Sequence, residues 1–511
     1  MIINCNKKSI NLLNRLERSM HKAWVEQDIL VPDSKPDVMK ITNVNATPYI
    51  NNYEVNGNNI KVEGKINYFV IYDTINNAMQ ARGMYMSYPF SVLIPCNNIN
   101  KDMNINLKVS SKNIIFSLPN ERKIAIKSEL LFNIECKENI KLDVIQSFND
   151  EYNIETKTAT CNCTNYIDTK SNIIASREDI MIKDELKDFY EVLNITSDIK
   201  NIEYKESYNK IMVKGDININ MLYLLESSKT TVKTIEFEVP FSGMIEFENI
   251  NDKSKFMLDL NIKDLNIVPS NDVVNSKIMS VEYQIEVCAS MYENEELTYI
   301  EDFYSQNHNI QTDAKMLSPI ANETIITKVV EIKENINNVL DGNFKIIEYK
   351  LNLNSLNSRR DNNTINLDGN IKLELLVQDT ETLNLSNKSL DIMINEKIPL
   401  ENIDSNTLIN TIYNLDKLVV TKLGNDIEVK ARIDLLIKCE KILNINYAQN
   451  IEILDDLDND LDSMYMYMVK KDDNLWDIAK KYKTSVDKIM KTNTINKDDN
   501  IYENQKILII R

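Results

Sequence analysis

The segment from 60 to 72 decides the fold prediction, and it reads IKVEGKINYFVIY. Its apolar residues stand at alternate positions on both sides of Gly64. Alternation with a period of two places one face of a strand in the core and the other face in solvent. The segments 211–223 (IMVKGDININMLY) and 365–377 (INLDGNIKLELLV) have the same pattern in the same phase. Three similar strands are therefore predicted, each with an in-line glycine that indicates a bulge or a close backbone approach.

The similarity extends beyond these strands. Gly64, Gly215 and Gly369 follow each other at intervals of 151 and 154 residues. A Pro-Phe-Ser motif keeps the interval of 151, with a weaker third copy: Pro89-Phe90-Ser91, Pro240-Phe241-Ser242 and Pro399-Leu400. A closing strand pattern has Cys136, Val287 and Cys439 at matching places, which predicts that the two cysteines are core residues. Self-similarity at a fixed long period indicates tandem repeats.

The fold class predicted from these patterns is mainly β. Three tandem β-rich repeat domains are expected at 1–150, 151–305 and 306–450, followed by an acidic linker at 451–463 and a small α+β domain at 464–511. Ahead of the first repeated strand, apolar residues recur at helical spacing: Leu12, Leu13, Leu16, Met20 and Trp24. This spacing predicts an amphipathic N-terminal helix within the first domain.

Composition excludes several classes of function. Lys and Arg number 59 against 77 Asp and Glu, a net charge of −18, which disfavours binding to nucleic acid phosphates. The eight glycines are never closer than seven positions, so the loops that hold nucleotide phosphates are absent from the sequence. With two histidines and no Gly-x-Ser-x-Gly segment, the sequence predicts no enzyme, no catalytic residues, no bound metal and no cofactor.

The seven cysteines are odd in number and irregularly spaced, which favours free thiols in a reducing compartment. The first residues do not have the pattern of a signal peptide, and no segment is apolar over the length that crosses a membrane. The sequence therefore predicts a cytoplasmic protein without membrane insertion.

The last segment has a different pattern. Tyr465 to Val469 alternate like a strand, two short helical patterns follow, and 507–510 read as a closing strand. Thr484 with Asp487 three residues later predicts a capping box at the second helix. The order strand, helix, helix, strand (βααβ) is thus expected within fewer than fifty residues.

This segment resembles a LysM domain over nearly all of its length, from YMVKKDDNLWDIAKKY at 467–482 to NQKI at 504–507. The resemblance implies a shallow groove for N-acetylglucosamine glycans between the loop after the first strand and the loop after the second helix. Carried over by position, the glycan-binding residues would be Asp472, Asp473, Asn474, Asn493, Ile495 and Asn496. The usual Gly-Asp-Thr of the family is replaced by Asp472-Asp473-Asn474, and its usual Gly-Gln by Asn504-Gln505.

The repeats resemble the SPOCS domain, and the whole layout is similar to the SipL-type coat morphogenesis proteins of endospore formers. That resemblance implies a non-enzymatic scaffold in spore coat assembly, located in the mother-cell cytoplasm at the forespore surface. It also implies that the LysM domain binds the ATPase known as stage IV sporulation protein A, with other coat proteins and peptidoglycan as further candidate partners. The residues predicted to contact a protein partner are Tyr467, Leu475, Trp476 and Ile478.

Two other functions stay open on the sequence. A cell-wall glycan-binding protein would use the LysM groove directly, and a wall-cleaving enzyme would need a catalytic domain that the repeats do not provide. For Trp476 the alternative is a simple core residue of the small domain, which the sequence does not separate from a partner anchor.

Overall fold

The computed structural model describes residues 5–74, 81–97, 99–101, 103–148, 153–181, 189–228, 231–273, 276–337, 339, 342–353, 356–400, 403–404, 407–442, 445–456, 464–496 and 501–510. Within these residues there are 23 strands and two helices.

The strands fall into three successive units and a small final unit. The first unit contains β1 (Cys5–Leu30), β2 (Val38–Asn56), β3 (Asn59–Thr74), β4 (Ala81–Pro95), β5 (Asn104–Asn120) and β6 (Lys123–Phe148). The second contains β7 (Ile154–Met181), β8 (Phe189–Ser207), β9 (Lys210–Leu225), β10 (Val232–Glu246), β11 (Lys255–Val273) and β12 (Ser276–Ser305). The third contains β13 (His308–Leu317), β14 (Ile320–Ile336), β15 (Phe344–Asn352), β16 (Asn357–Asp361), β17 (Thr364–Asp379), β18 (Leu385–Pro399), β19 (Thr407–Leu423), β20 (Asp426–Ile442) and β21 (Ile445–Asp456). The final unit contains β22 (Met464–Met468), α1 (Leu475–Tyr482), α2 (Val486–Asn493) and β23 (Lys506–Ile510).

Each of the first three units is a sandwich of two antiparallel sheets. In the first unit one sheet has the order β2-β3-β4 and the other includes β1-β6-β5. Their facing sides bury one apolar core, which includes Ile60 and Tyr68 of β3 and Ile126 and Phe132 of β6. The second unit repeats the order with β8-β9-β10 and β7-β12-β11, and the third with β17 and β20 as the two central strands. The mainly β fold predicted from the alternating pattern is confirmed.

The third unit departs from the others in its longest strands. The strand that corresponds to β1 is divided into β13 and β14 at Ser318-Pro319. Proline has no N–H to donate to a ladder, so it interrupts regular pairing. The strand that corresponds to β6 is divided into β20 and β21, and the halves pair separately, β14 with β20 and β13 with β21.

The in-line glycines leave room for aromatic rings. Gly64 lies directly opposite Phe90, and a Cβ on Gly64 would stand 2.6 Å from the Cζ atom of that ring. Gly215 lies opposite Phe241 in the same way, with the corresponding distance 2.7 Å. The register of β2 shifts opposite Gly64, and that of β8 shifts opposite Gly215. The structure thus shows both features predicted for these glycines, a close approach and a bulge in the neighbouring strand.

The prediction that Pro399-Leu400 is a third copy of the Pro-Phe motif is wrong. The residue opposite Gly369 is Ile394, whereas Pro399 pairs with Thr364 at the end of β18. A sequence match by residue type had displaced the motif by several positions, and the pairing register corrects it.

The predicted N-terminal helix is also wrong, because residues 5–30 form β1 and pair with β6 along the whole strand. A register shift between Arg15 and Glu17 inserts one extra residue into β1. The residues at helical spacing lie on both faces of this strand, since Leu12 and Leu13 are buried whereas Met20 and Trp24 are 75% and 44% exposed. Their spacing therefore does not mark one buried stripe, and pairing with a distant strand decides the structure.

The three sandwiches form a closed ring. β4 lies beside β8, β10 beside β15, and β18 beside β2, so each three-stranded sheet contacts the next. One buried cluster draws equivalent residues from all three units: Ile71, Leu222 and Leu376, with Ala81, Val232 and Leu385. These residues hold the same positions in their strands, so the cluster lies on an approximate threefold axis.

The first and third units are also joined through their second sheets. β1 pairs with β14 through Leu13 and Ile320, which makes one six-stranded sheet of β19-β20-β14-β1-β6-β5. Beside this junction lies a buried ion network of five side chains: Glu135, Lys137, Glu323, Lys438 and Glu440. The shortest contact, 2.9 Å, joins the Lys438 Nζ atom to the Glu323 carboxylate, whose side chain is 2% exposed. Equivalent positions in the first and third units carry opposite charges in this network. Lys438 corresponds to Glu135, and Glu440 corresponds to Lys137.

The acidic linker is predicted at 451–463, and the predicted start lies too early in the chain. β21 extends to Asp456 and pairs with β13, so the first part of that segment belongs to a sheet. Residues 457–463 lie outside the described residues. Cys136 and Cys439 are buried in the cores of the first and third units, at the place that Val287 holds in the second, as predicted.

Candidate functional site

The final unit places its two helices against a two-stranded antiparallel sheet of β22 and β23. Its core contains Val469, Ile478, Ala479, Ile489, Ile507 and Ile509. Asn474 caps α1 by accepting a hydrogen bond from the Asp477 N–H at 2.9 Å. α2 is capped by Ser485, which accepts from the Lys488 N–H. The capping box predicted for Thr484 is wrong by one residue, because the Thr484 hydroxyl instead donates to the Ile510 carbonyl within the core.

The loop after β22 holds three of the predicted glycan-binding residues. Asp473 closes the loop, since its carboxylate accepts from the Lys470 N–H at 2.8 Å and from the Tyr467 hydroxyl at 2.7 Å. The bond to Asp473 raises the pKa of Tyr467 to about 12. Asn474 is used as the helix cap, and Asp472 is exposed. Of these three side chains, Asp472 is the one with no structural hydrogen bond described.

The loop after α2 holds the other three predicted glycan-binding residues. Asn493 brackets α2 and β23, because its amide donates to the Ile489 and Leu508 carbonyls and accepts from the Leu508 N–H at 2.7 Å. Ile495 packs half-buried against the core, and Asn496 is exposed. Residues 497–500, at the end of this loop, lie outside the described residues. The predicted groove residues are thus brought to two loops, and Asp473, Asn474 and Asn493 already serve the structure of the unit.

The two positions at which the LysM family usually has glycine share one backbone conformation. Asp472 and Asn504 both have a left-handed backbone, each with φ of 67°. Glycine adopts this conformation without strain, and Asn and Asp are the side chains that tolerate it best. The positions where this sequence lost a glycine are therefore turns that favour one.

The predicted partner residues are spread between core and surface. Ile478 is buried at 2% exposure, so it supports the fold of the unit. Tyr467, Leu475 and Trp476 are half-buried and pack on the same core.

Comparison with family models gives three matches. The model described as SipL, SPOCS domain matches residues 37–118 and 188–269, and the LysM domain model matches residues 467–509. The chain contains two SPOCS domains and a LysM domain. This is the composition expected of a SipL-type architecture, and it fits a protein associated with the spore coat. No curated protein and no solved structure matches the chain.

The SPOCS matches cover β2 to β5 in the first unit and β8 to most of β11 in the second. They leave out the long first and last strands of these units, β1, β6, β7 and β12, which the structure adds to each sandwich. Those strands make further contacts between units, among them β1 with β7 and β7 with β14, and β12 carries the contact with the LysM domain.

The LysM domain is docked on the second unit through Asp302 and Tyr304 at the end of β12. The Asp302 carboxylate accepts from the Trp476 Nε1–H at 2.7 Å and from the Lys480 ammonium at 2.6 Å. Tyr304 is 3% exposed, belongs to the LysM core, and donates to the Thr484 carbonyl at 2.6 Å. Burial raises the pKa of Asp302, but the bonds from Lys480 and Trp476 outweigh it and hold the pKa below its ordinary value.

Asp302 and Tyr304 are not among the residues predicted from the sequence. They lie more than 170 residues before their partners in the LysM domain, and acidic and aromatic residues are common in this chain. No local pattern distinguishes them, so their role depends on the tertiary structure.

The strand β22 presents an exposed methionine face, which the sequence analysis also missed. Met464, Met466 and Met468 are 68%, 67% and 53% exposed. The alternate side chains, Tyr465 and Tyr467, pack against the Tyr482 ring on the inner side. Strict Met-Tyr alternation was the available signal, because the aromatic face of such a strand covers the core and leaves the other face in solvent.

The described residues contain no group of three or more His, Cys, Asp and Glu side chains placed to hold a metal ion. Neither described helix has the length and apolar character needed to span a membrane.

Proposed function

We propose that this protein is a non-enzymatic scaffold of spore coat assembly in the mother-cell cytoplasm, at the forespore surface. Its LysM domain binds the coat-anchoring stage IV sporulation ATPase. The SPOCS and LysM matches support a coat association, and the proposal adds the ATPase as partner, the compartment and the absence of catalysis.

The observation that supports a protein partner is the contrast between the sugar-facing loops of the LysM domain and its strand β22. In the sugar-facing loops, the side chains of Asp473, Asn474 and Asn493 are engaged in hydrogen bonds that hold the domain together. On β22, three methionines stand exposed in a row. Methionine is flexible and polarisable, and exposed apolar groups of this kind are characteristic of protein interaction surfaces.

We further propose that the third unit is a third SPOCS domain. It has the same order of paired strands as the two matched units, and Gly369 in β17 holds the place of Gly64 and Gly215. Three such domains in a closed ring suit a scaffold, because they present several surfaces in a fixed arrangement.

The test measures binding of the full chain to the purified ATPase and, separately, to chito-oligosaccharide. Met466→Glu places a charge in the proposed contact and is expected to weaken ATPase binding at least about tenfold. Met393→Glu is the matched control, since Met393 in the third unit is 83% exposed. It should leave binding unchanged.

A full chain that does not bind the ATPase would contradict the proposal, as would equal effects of the two substitutions. Binding to chito-oligosaccharide that weakens with Asp472→Ala would favour the alternative, a cell-wall glycan-binding protein, because Asp472 is an exposed side chain of the sugar-facing loop.

A further inference from the structure

Two buried thiols touch in the core of the first unit. Cys96 directly follows β4, and Cys136 lies in β6. Their Sγ atoms are 3.9 Å apart, and the residues are 1% and 0% exposed. This contact joins the end of one sheet of the sandwich to the middle strand of the other.

The equivalent places in the other units hold different pairs. The strands β4, β10 and β18 hold equivalent places in the three units. The residue directly after them is Cys96, Phe247 and Leu400, respectively. The place of Cys136 is held by Val287 and Cys439. All these residues are buried, so the position requires apolar bulk and does not require sulfur. The first unit is the one in which both places carry a thiol.

The two sulfur atoms are in van der Waals contact. A disulfide has an S–S distance of about 2.05 Å, so the two sulfurs must approach by roughly 1.9 Å. β6 is held on both sides by β1 and β5, which fixes Cys136. Cys96 lies beyond the last paired residue of β4, and its N–H donates to the Asn58 carbonyl. The approach therefore falls to Cys96, at the end of its strand.

We propose that Cys96 and Cys136 are a modification site, and that they form a disulfide when the protein meets a low-molecular-weight disulfide as oxidant. The Cys96 thiolate attacks the oxidant, forming a mixed disulfide and releasing one thiolate. The Cys136 thiolate then attacks the Cys96 sulfur and releases the second. The protein loses two electrons and two protons, and the oxidant is reduced to two thiols. The bond links the two sheets of the first unit covalently, and the inference does not depend on the proposed function.

Burial sets the rate of this reaction. Neither thiol is open to solvent, so the oxidant reaches them when the end of β4 separates locally from the core. Oxidation should therefore be slower than that of the half-exposed Cys5, Cys161 and Cys288, and a low concentration of urea should accelerate it before the protein unfolds.

The experiment incubates the reduced full chain with excess oxidised glutathione and then blocks the remaining thiols. Digestion and mass spectrometry under non-reducing conditions should find one peptide pair joined through Cys96 and Cys136, with a mass lower by about 2 Da than the two free peptides. Cys136→Val is the matched control, because Val287 is the natural residue at that place in the second unit. In this variant the linked pair should be absent and the fold retained.

The proposal is overturned if the half-exposed cysteines react with glutathione while Cys96 and Cys136 stay reduced, with and without urea below the unfolding midpoint. Linkage of Cys96 to a cysteine other than Cys136 in the native protein would overturn it equally.

Discussion

At the scale of single residues, the in-line glycines are positions where the main chain and an aromatic ring meet. A Cβ on Gly64 would lie 2.1 Å from the Tyr49 carbonyl oxygen as well as against Phe90. The ring could rotate away, but the carbonyl belongs to the paired strand β2 and cannot move alone. The glycine is therefore required by backbone contact, and its phenylalanine partner covers the surface that the missing side chain leaves open.

Gly64→Ala is expected to destabilise the protein by about 3 kcal/mol, since inserting a methyl group into a packed core forces the backbone to shift. The measurement is the urea midpoint of unfolding, followed by circular dichroism. Gly57→Ala serves as the control, because Gly57 has φ of 59° with open space around its Cα. That change should cost only about 1 kcal/mol, the strain of a left-handed alanine. Equal effects at the two sites would refute the packing explanation.

A second residue-scale prediction concerns the end of α1. Lys483 caps this helix with φ of 57°, a conformation that glycine adopts without strain. Lys483→Gly should raise the stability of the LysM domain by about 1 kcal/mol. Lys491→Gly, the same change inside α2, should lower it by about 1 kcal/mol. Hydrogen exchange of the LysM core amides measures both, and a loss of protection in Lys483→Gly would contradict the prediction.

At the scale of elements, the LysM domain is held against the end of β12 by side chains on one face of α1. Trp476 and Lys480 both reach Asp302, and the Trp476 ring meets Tyr304 edge-on at 5.0 Å. Trp476 thus has an intramolecular partner within this structure. Its predicted role in binding another protein would require either release from β12 or a surface shared with β12.

Asp302→Ala is expected to loosen this docking, because it removes two charge-assisted hydrogen bonds at a site partly screened by solvent. The loss should be about 1–2 kcal/mol, which raises hydrogen exchange in residues 475–482 roughly tenfold. Glu296→Ala, an exposed change on the same strand, is the control. Unchanged protection of α1 in the Asp302 variant would show that the contact does not stabilise the docking.

The docking should also depend on pH. The folded pKa of Asp302 lies below the ordinary carboxyl value of about 3.9. The carboxylate therefore contributes stability that is fully present above that value and is lost as the pH falls through the lowered pKa. In a Trp24→Phe background, Trp476 fluorescence should stay constant from pH 7 to about pH 4 and shift to the red below it. Asp302→Asn should abolish this transition.

At the scale of the whole molecule, a buried ion network lies between the first and third units, beside the junction where their second sheets join. The exchange of charges between Glu135 and Lys438, and between Lys137 and Glu440, makes the two faces complementary. Burial lowers the pKa of Lys137, and the nearby Lys438 ammonium lowers it further. Such networks add less to stability than to the choice of neighbours, but removing one member leaves an unpaired buried charge.

Lys438→Met is expected to destabilise the protein by about 3–5 kcal/mol, because it leaves the Glu323 and Glu440 carboxylates buried without the ammonium that contacts them both. Asp416→Ala is the control, since it breaks the half-exposed ion pair with Arg432 and should leave the unfolding midpoint unchanged. Midpoints measured in urea distinguish the two. A small effect of Lys438→Met would show that the junction is held mainly by its apolar contacts.

Most of the strands were predictable because their pattern is local. The alternation around Gly64, Gly215 and Gly369 is visible in a few residues, and the period of 151 links the first two units. The failures share one cause. In β1 apolar residues on both faces of the strand imitated a helix, and the pairing register moved the third Pro-Phe motif to Ile394. Which residues pair, and which face is covered, is set by the partner strand, which a local window does not contain.

The features of the candidate site also divide into those with a local signal in the sequence and those set by the tertiary structure. The LysM resemblance located both loops, and local hydrogen bonds within the domain explain the residues found there. The docking residues came from the structure alone, whereas the exposed methionine face has a local signal in the Met-Tyr alternation of 464–468.

By itself, the sequence determined the β class, the repeated units, the buried cysteines and the LysM segment. Each of these depends on side-chain alternation or spacing along the chain, which is a local property of the backbone. The tertiary structure decided the closed ring, the ion network, the docking of the LysM domain on Asp302 and the contact of Cys96 with Cys136. These features join residues 40 to more than 300 positions apart, and such pairs form through burial and charge complementarity after the elements have packed.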